Sequence, residues 1–343
     1  MRIGILTGGG DAPGLNAAIR AVARPALASG DTVLGVRDGW KGMLGEGSLR
    51  ELDLEEVDGV LARGGTFLGS SRTNPAKVEG GYDQVRGVFE RHGLDALVAI
   101  GGDDTLGVAA RLAEMKLPVV GVPKTMDNDL AVTEYCIGFD TAVGIVTESL
   151  DRLHTTADSH HRVIVVEVMG RDAGWVAVAG GMAGGAHALV IPEFEVGIDT
   201  IVDRLAARRA RGHQYGIVVI AEGGRVPELD EGAADTTTDA FGHVQLAKRG
   251  LAEGLASLIE TRARWETRSV VLGHLQRGGT PSAYDRVWAS RVGHGAYTLV
   301  RDGRFGEMPI ARAGEVAIVP IADVAVGGRT VPRELYDLAQ TLS

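Results

Sequence analysis

The 343-residue sequence predicts an α/β protein with mainly parallel sheets. Short apolar runs alternate with segments of helical spacing along the chain, and this alternation favours parallel strands joined by helices. Glycine supplies a second observation, with 50 residues, about twice the roughly 7% average. These glycines cluster at the ends of apolar runs and indicate many tight strand-to-helix turns.

Length and composition restrict the class of protein. A chain of this length holds two domains or one large one, and a hydrophobic fraction of 45% supplies a sizeable core. The single cysteine, Cys136, excludes an intrachain disulfide framework and suits a reducing cytosol.

Charge and hydropathy bear on partners and location. The net charge of −10 disfavours nucleic-acid binding, which requires a basic surface. No run of 18 or more uncharged apolar residues is present, and the N-terminus reads as a strand with no signal peptide. We therefore expect a cytoplasmic protein with no membrane partner.

The first element is a buried strand at Arg2–Thr7, followed by the glycine-rich segment 8–14 and a helix from about Ala17. Backbone N–H groups of such a loop can approach a phosphate at a helix start. The loop lacks the lysine of the P-loop motif and the spacing of dinucleotide folds, so a plain tight turn is the alternative. A second strand is predicted at Thr32–Val36. The polar loop 64–73 then carries Arg72, which has either a ligand-binding role or an ordinary solvated one.

The segment 98–129 concentrates the chemistry. One apolar run ends at Gly101, with Asp103 and Asp104 before the next helical pattern, and a second run, Pro118–Val122, ends before the sequence PKTMDND. Parallel strands deliver their carboxyl ends to one sheet edge, where ligands of open α/β sheets bind. Carboxylates there suit Mg²⁺ and a proton-accepting base, which are requirements of phosphoryl transfer.

The second half continues the alternation. His160 and His161 are adjacent, point to different sides and make a poor metal pair. The segment 227–242 is acidic and threonine-rich and is predicted to be an exposed loop. The remaining predicted elements are helices at 141–156, about 243–260 and about 284–300, strands at 163–168, 188–191, 216–221 and 268–273, and an apolar run at 316–321.

Seven blocks of this sequence resemble the phosphofructokinase family in order and spacing along nearly the whole chain. They read GGGDAPGLNAAIR, GGDDT, PKTMDND, SHHR, MGRDAGW, AEGG and LGHLQRGGTPSAYDR. The resemblance implies two αβα (Rossmann-like) domains with the active site between them. The implied reaction is Mg²⁺-dependent phosphoryl transfer to the 1-hydroxyl of fructose 6-phosphate. It also implies a homodimer or homotetramer whose subunits share active sites.

The resemblance also suggests domain limits. Residues 1–138 plus about 250–303 would form the phosphoryl-donor-binding domain. Residues 139–249 plus about 304–343 would form the fructose 6-phosphate-binding domain.

Carried over by position, the family pattern makes Asp127 the base for the 1-hydroxyl proton, with Thr125 lining the same site. Asp103 resembles the Mg²⁺ carboxylate, assisted by Asp129, and Gly10 would lie against the phosphoryl donor.

Arginines account for the expected phosphate contacts, since the planar guanidinium suits phosphate oxygens in an otherwise acidic protein. Arg72 and Arg171 would steady charge on the transferring group, and Arg162 and Arg268 would reach the sugar phosphate of the adjacent subunit. The implied fructose 6-phosphate contacts in the same subunit are Met169, Gly170, Arg171, Glu222, His274 and Arg277.

Two positions bear on the phosphoryl donor. ATP-dependent members of the family typically carry glycine where this chain has Asp104, and many carry glycine where it has Lys124. A carboxylate at 104 would repel the α-phosphate of a nucleotide, which pyrophosphate lacks, while Lys124 would bind pyrophosphate and balance charge in the transition state. Pyrophosphate is the predicted donor. The alternatives are an ATP-dependent enzyme that tolerates Asp104, and an Asp104 that merely caps the helix.

Two readings from other classes fit less well. An NAD or lipid kinase would share the GGD motif but has no place for PKTMDND or the HLQRGG block. A non-catalytic sugar-phosphate sensor would have lost Asp127 or Asp103, and both are present.

Overall fold

The computed structural model describes residues 1–230, 250–326 and 328–343. The chain divides into two compact units. Unit 1 comprises Met1–Met126, Leu130–Thr141 and Arg277–Gly327, and unit 2 comprises Asp127–Asp129, Ala142–Gln276 and Gly328–Ser343. Among the helices of the described residues, none combines the length and the hydrophobicity that a membrane span requires.

The strands of the described residues are β1 Arg2–Thr7, β2 Thr32–Val36, β3 Leu49–Glu51, β4 Ala96–Gly101, β5 Val119–Pro123, β6 Val163–Val168, β7 Ala188–Val190, β8 Gly216–Ala221, β9 Thr267–Val271, β10 Glu307–Arg312 and β11 Glu315–Pro320. The helices are α1 Leu15–Ala28, α2 Leu54–Asp58, α3 Gly81–His92, α4 Asp103–Glu114, α5 Phe139–His160, α6 Trp175–Ala183, α7 Ile198–Ala210, α8 Pro227–Asp230, α9 Leu251–Ala263, α10 Ala283–Arg301 and α11 Arg333–Leu342.

Unit 1 contains a five-stranded sheet in the order β3-β2-β1-β4-β5. Strands β2, β1, β4 and β5 are parallel neighbours, and β4 lies between β1 and β5 with every residue buried. Apolar side chains cover both faces of this sheet in two core clusters. Continuous apolar runs are what a parallel sheet buried on both faces requires.

Two parts of unit 1 depart from the predicted strand–helix alternation. The three-residue strand β3 pairs antiparallel with β2, and β10 and β11 form an antiparallel hairpin. The hairpin turn consists of Ala313 and Gly314, both with positive φ, which suits the twist of a two-residue connection. The prediction that strands and helices alternate along the whole chain was therefore wrong for β3, β10 and β11.

Unit 2 contains a four-stranded, wholly parallel sheet in the order β7-β8-β6-β9. Its two central strands, β6 and β8, are buried along their full length. The predicted bounds of both strands agree with the structure.

The unit boundaries differ from the predicted domain limits. Residues 251–276 belong to unit 2 because β9 extends its sheet, whereas β10 and β11 belong to unit 1. The predicted loop at 227–242 begins instead with the short helix α8, and its remainder lies outside the described residues. The predicted helix at about 243–260 begins outside them too, and its described part is α9.

Asp285 on α10 anchors the start of α5. Its side chain is fully buried, and Oδ1 accepts hydrogen bonds from the Tyr135 hydroxyl (2.8 Å) and the Gly138 N–H (2.7 Å). Its Oδ2 accepts bonds from the N–H (2.9 Å) and the hydroxyl of Thr141. Burial raises the pKa of Asp285, and the bonds from Thr141 and Gly138 oppose that rise. Asp285 thus holds residues 135–141, which follow the PKTMDND motif, in place by hydrogen bonds.

Asp285→Asn should destabilise the protein by about 2–4 kcal/mol, because either amide orientation turns an NH₂ group towards two buried donors. The free energy of unfolding from urea titrations measures the effect. Asp83→Asn, at an exposed position on α3, is the matched control and should change stability by less than about 0.5 kcal/mol. Equal stabilities for the two variants would contradict this role.

Candidate active site

Three glycine-rich or polar segments begin at the same edge of the unit 1 sheet. The N–H of Gly8, after β1, donates to the carbonyl of Ile100 (2.9 Å), and the N–H of Lys124, after β5, donates to the carbonyl of Gly101 (2.9 Å). The predicted convergence of the carboxyl ends of β4 and β5 is therefore present, and β1 ends at the same edge.

The loop after β1 is glycine-rich because side chains of other segments pack closely against its backbone. A Cβ on Gly8 would overlap the hydroxyl of Thr105, which is in the first turn of α4. A Cβ on Gly10 would lie 2.7 Å from Nη1 of Arg277, which itself donates to the carbonyl of Asp11 (3.1 Å). The loop therefore packs between the start of α4 and Arg277.

Lys124 holds this loop in place. Its side chain is only 3% exposed, and its Nζ donates to the carbonyls of Gly8 (3.2 Å) and Gly10. A positive charge is thereby fixed on the loop that is predicted to face the phosphoryl donor. The sequence predicted a positive charge at Lys124 but not the hydrogen bonds of Lys124 to the loop.

Asp103 and Asp104 are the first two residues of α4, and both side chains are exposed. The N-cap residue is Gly102, and Oδ1 of Asp103 accepts the N–H of Asp104 (2.8 Å). Asp104 thus lies in the first turn of the helix, two residues after the N-cap. Since Thr105 touches the Gly8 backbone, both carboxylates stand in a helix turn that packs against the glycine-rich loop.

A second set of predicted residues meets at the carboxyl edge of the unit 2 sheet. The N–H of Glu222, after β8, donates to the carbonyl of Val168 (2.8 Å), and the N–H of Met169 donates to Oε1 of the buried Gln276 (3.3 Å). The residues that this edge brings together are Met169, Gly170, Arg171, Glu222 and His274. Arg277, predicted to belong with them, clusters with unit 1.

Arg171 has the environment of a ligand-binding arginine. Its side chain is half-buried, and its Nε is buried without a hydrogen-bond partner among the described residues. An unpaired buried donor is costly, and a phosphate oxygen is an acceptor that would satisfy it. The preceding Gly170 has φ of 136°, which only glycine adopts readily.

Arg162 and Arg268 lie at the opposite edge of the same sheet. Arg162 precedes β6 and Arg268 is the second residue of β9, and their guanidinium groups share Oε1 of Glu266 (3.1 and 2.7 Å). A six-residue strand is about 20 Å long. This pair is therefore remote from Arg171 within the chain.

The phosphofructokinase family model matches residues 2–300 of the chain. The chain belongs to the phosphofructokinase family. The predicted family is thereby confirmed.

Relatives of this phosphofructokinase carry two kinds of name. One, from Amycolatopsis methanolica, is named pyrophosphate–fructose 6-phosphate 1-phosphotransferase and is 52% identical over 99% of both chains. Another, from Streptomyces coelicolor, is named ATP-dependent 6-phosphofructokinase 3 and is 50% identical over 99% of both chains. The names of these relatives divide between the two phosphoryl donors at nearly equal similarity.

Solved structures confirm the phosphofructokinase fold. The chain is similar to phosphofructokinase from Saccharomyces cerevisiae, with a TM-score of 0.80 and 30% identity over 95% of this chain, and it spans only 45% of that longer chain. A pyrophosphate-dependent phosphofructokinase from Marinobacter aquaeolei gives a TM-score of 0.83 at 24% identity, with 99% and 91% of the two chains covered. At that identity the match shows the fold alone.

The remaining predicted residues of this phosphofructokinase are distributed as follows. Thr125 is half-buried and clusters with unit 1, as do Gly10 and the exposed Arg72. Asp127 and Asp129 are half-buried and cluster with unit 2. The chain thus passes from unit 1 to unit 2 within the PKTMDND motif.

The predicted Mg²⁺ site depends on few protein ligands. Within the described ranges, no group of three His, Cys, Asp or Glu side chains is arranged to hold a metal ion. Mg²⁺ is usually bound by one or two carboxylates together with phosphate oxygens and water. The carboxylate of Asp103, which is exposed, and that of Asp129, which is half-buried, each supply oxygen donors of the kind that Mg²⁺ takes.

Proposed function

We propose that this phosphofructokinase transfers a phosphoryl group from pyrophosphate to the 1-hydroxyl of fructose 6-phosphate, giving fructose 1,6-bisphosphate and phosphate. The observation that carries the choice of donor is the exposed carboxylate of Asp104 in the first turn of α4, the turn whose Thr105 packs against Gly8 of the glycine-rich loop. The pyrophosphate-named relative from Amycolatopsis methanolica supports the same choice.

Charge explains how Asp104 selects the donor. A nucleotide brings an α-phosphate and its attached nucleoside, and the Asp104 carboxylate opposes that added negative charge. Pyrophosphate ends at its second phosphoryl group and avoids this opposition. Lys124, held on the glycine-rich loop, offsets the charge of pyrophosphate and of the transition state.

The chain's own residues divide the remaining work. Asp127 accepts the proton of the 1-hydroxyl as that oxygen attacks phosphorus, and Thr125 lines the same position. Arg171 and Arg72 donate hydrogen bonds to the transferring group. Gly10 leaves backbone space for the donor. Mg²⁺, for which Asp103 is the proposed carboxylate ligand and Asp129 a further candidate donor, would neutralise charge on the phosphate oxygens when bound.

The sugar phosphate is recognised by the cluster at the carboxyl edge of the unit 2 sheet. Because pyrophosphate and the product phosphoester have similar transfer potentials, the reaction runs in both directions and serves glycolysis and gluconeogenesis. The direct test is the reverse reaction. Fructose 1,6-bisphosphate with inorganic phosphate should yield pyrophosphate, whereas strict dependence on ADP as acceptor would contradict the proposal.

An ATP-dependent 6-phosphofructokinase is the second candidate. The relative named ATP-dependent 6-phosphofructokinase 3 favours it at 50% identity. In that case Asp104 would point away from the nucleotide's α-phosphate, and the assignments of Asp127 and the arginines would stand.

Arg162 and Arg268 support a homodimer or homotetramer with shared sites. Both lie at the sheet edge opposite Arg171, and Nε of Arg162 is buried without a hydrogen-bond partner among the described residues. We assign these two arginines to the sugar phosphate bound by a neighbouring subunit. This role explains why two of the predicted phosphate-binding arginines lie apart from the others.

Mixing two inactive variants tests shared sites. Asp127→Ser and Arg162→Ala should each be slow as pure oligomers at low fructose 6-phosphate. In a hybrid, one site combines the intact Asp127 of one subunit with the intact Arg162 of its partner. Co-refolded mixtures should therefore regain roughly a quarter of the wild-type rate, by random pairing of subunits as in closed dimers. No recovery over the unmixed variants would place both residues in one subunit's site.

A further inference from the structure

The tail segment 328–332, here called the C-terminal strap, lies against two loops of unit 2. The N–H of Arg329 donates to the carbonyl of Asp129 (2.6 Å), and the indole Nε1 of Trp175 donates to the carbonyl of Arg329 (2.8 Å). One residue of the strap thus bonds both to the end of PKTMDND and to the end of MGRDAGW.

The side chain of Arg329 strengthens this connection. Its guanidinium carbon lies 4.0 Å from the centroid of the Trp175 ring, within the range of a cation–π contact. Trp175 is only 7% exposed, so the ring is a fixed surface. The indole therefore holds the strap by its N–H and by its face at once.

Glu193 provides a second attachment of the strap to the same loop. Its Oε1 accepts the N–H of Val331 (2.9 Å) and the N–H of Gly174 (2.9 Å). Gly174 is the N-cap residue of α6, where a carboxylate is favoured by the helix dipole. The strap is thus bonded through Arg329 and Val331. The MGRDAGW loop is bonded to the strap directly through Trp175 and by way of Glu193 through Gly174.

The tail does not need Arg329 for its attachment to the protein. Helix α11 already packs on unit 2 through the buried Tyr336, whose hydroxyl donates to the carbonyl of Leu189 (3.0 Å), and through Gln340, whose Nε2 donates to the same carbonyl (2.8 Å). The stacking of Arg329 on Trp175 therefore adds a side-chain contact at the MGRDAGW loop, made by the same residue whose backbone N–H bonds to Asp129.

We propose that Arg329 is a positioning residue that keeps the Asp127 and Arg171 segments in their reactive arrangement. It acts through Asp129, two residues after Asp127, and through Trp175, four residues after Arg171. This inference rests on the proposed roles of Asp127 and Arg171. Small displacements of catalytic groups are enough to slow a reaction on the order of 100-fold.

Arg329→Met removes the charge and the stacking but keeps side-chain length. We expect kcat to fall by about 10- to 100-fold, with little change in KM for fructose 6-phosphate or in melting temperature. Arg329→Lys should recover part of kcat, because it restores the cation without the planar stack.

Arg333→Met is the matched control. Arg333 is also in the tail, its guanidinium carbon lies 5.0 Å from the centroid of the Phe194 ring, and it pairs with Asp337 (2.9 Å), but among the described residues it makes no hydrogen bond, ion pair or ring contact with the two loops. This variant should keep the wild-type kcat. Equal kcat for Arg329→Met and wild type, or equal losses in Arg329→Met and Arg333→Met, would overturn the proposal.

Trp175→Phe removes the indole N–H and should reproduce the loss of kcat. Arg329→Met leaves the bond from the indole N–H to the residue 329 carbonyl and removes the stacking, so the double variant should lose less kcat than the product of the two single losses, since both changes weaken the same pair of residues. Fully multiplicative losses would contradict a shared connection.

Hydrogen exchange gives a readout that is independent of turnover. In the free protein, Arg329→Met should speed amide exchange in peptides covering 127–133 and 169–176, and Arg333→Met should not. All rates are measured with the phosphoryl donor that the wild type uses. A wild-type preference for ATP would therefore refute the proposed donor but would leave the test of Arg329 valid. Unchanged exchange would refute the strap's role even if the donor proposal holds.

Discussion

Asp127→Ser is expected to lower kcat by about 10²- to 10⁴-fold while fructose 6-phosphate still binds. Serine cannot accept the proton of the 1-hydroxyl at neutral pH, so the attacking oxygen remains weakly nucleophilic. The contacts to the sugar phosphate come from other residues and are retained. Initial rates give kcat, and calorimetric titration gives the dissociation constant for fructose 6-phosphate.

The control for this variant is Asp83→Ser, at an exposed position on α3. It removes the same group and should leave kcat unchanged. A near-normal kcat for Asp127→Ser would refute Asp127 as the base. Loss of fructose 6-phosphate binding together with turnover would instead identify Asp127 as a binding residue.

Asp104→Gly is expected to raise the ratio of kcat/KM for ATP to that for pyrophosphate on the order of 100-fold or more, because opposed like charges cost several kcal/mol. Glycine removes both the carboxylate and its bulk from the first turn of α4. The measurement is kcat/KM for each donor at saturating fructose 6-phosphate.

Asp104→Asn separates charge from size. The amide keeps the bulk of the side chain, so an ATP gain with asparagine as large as with glycine would show that charge alone selects the donor. A gain with glycine only would indicate a steric barrier. Donor ratios that stay at the wild-type value in both variants would remove Asp104 from donor selection.

Much of the fold could be predicted because its central strands are short, continuous apolar runs bounded by glycine or polar residues. The predicted bounds of β1, β2, β6 and β8 agree with the structure. Strands β3, β10 and β11 were not separated as antiparallel elements, since partner choice depends on tertiary pairing that apolar runs do not encode.

The candidate site could be predicted in outline from residues at strand ends. Sequence position placed the Asp103 and Lys124 segments at one sheet edge, and the structure confirms that convergence. It could not show that Lys124 bonds to the glycine-rich loop.

Contacts between residues that are distant in sequence were the main omission. Trp175 and Arg329 are 154 positions apart, and Asp285 and Thr141 are 144 apart. Trp175 and Asp285 lie within recognised motifs, but Arg329 lies in a tail with no distinguishing pattern. Only the folded chain reveals such partners.

The most direct test of the proposed function is the initial rate with fructose 6-phosphate and Mg²⁺, with pyrophosphate or ATP as the phosphoryl donor. We predict rapid turnover with pyrophosphate and little with ATP. A clear preference for ATP would contradict the proposed donor and show that Asp104 does not exclude a nucleotide's α-phosphate.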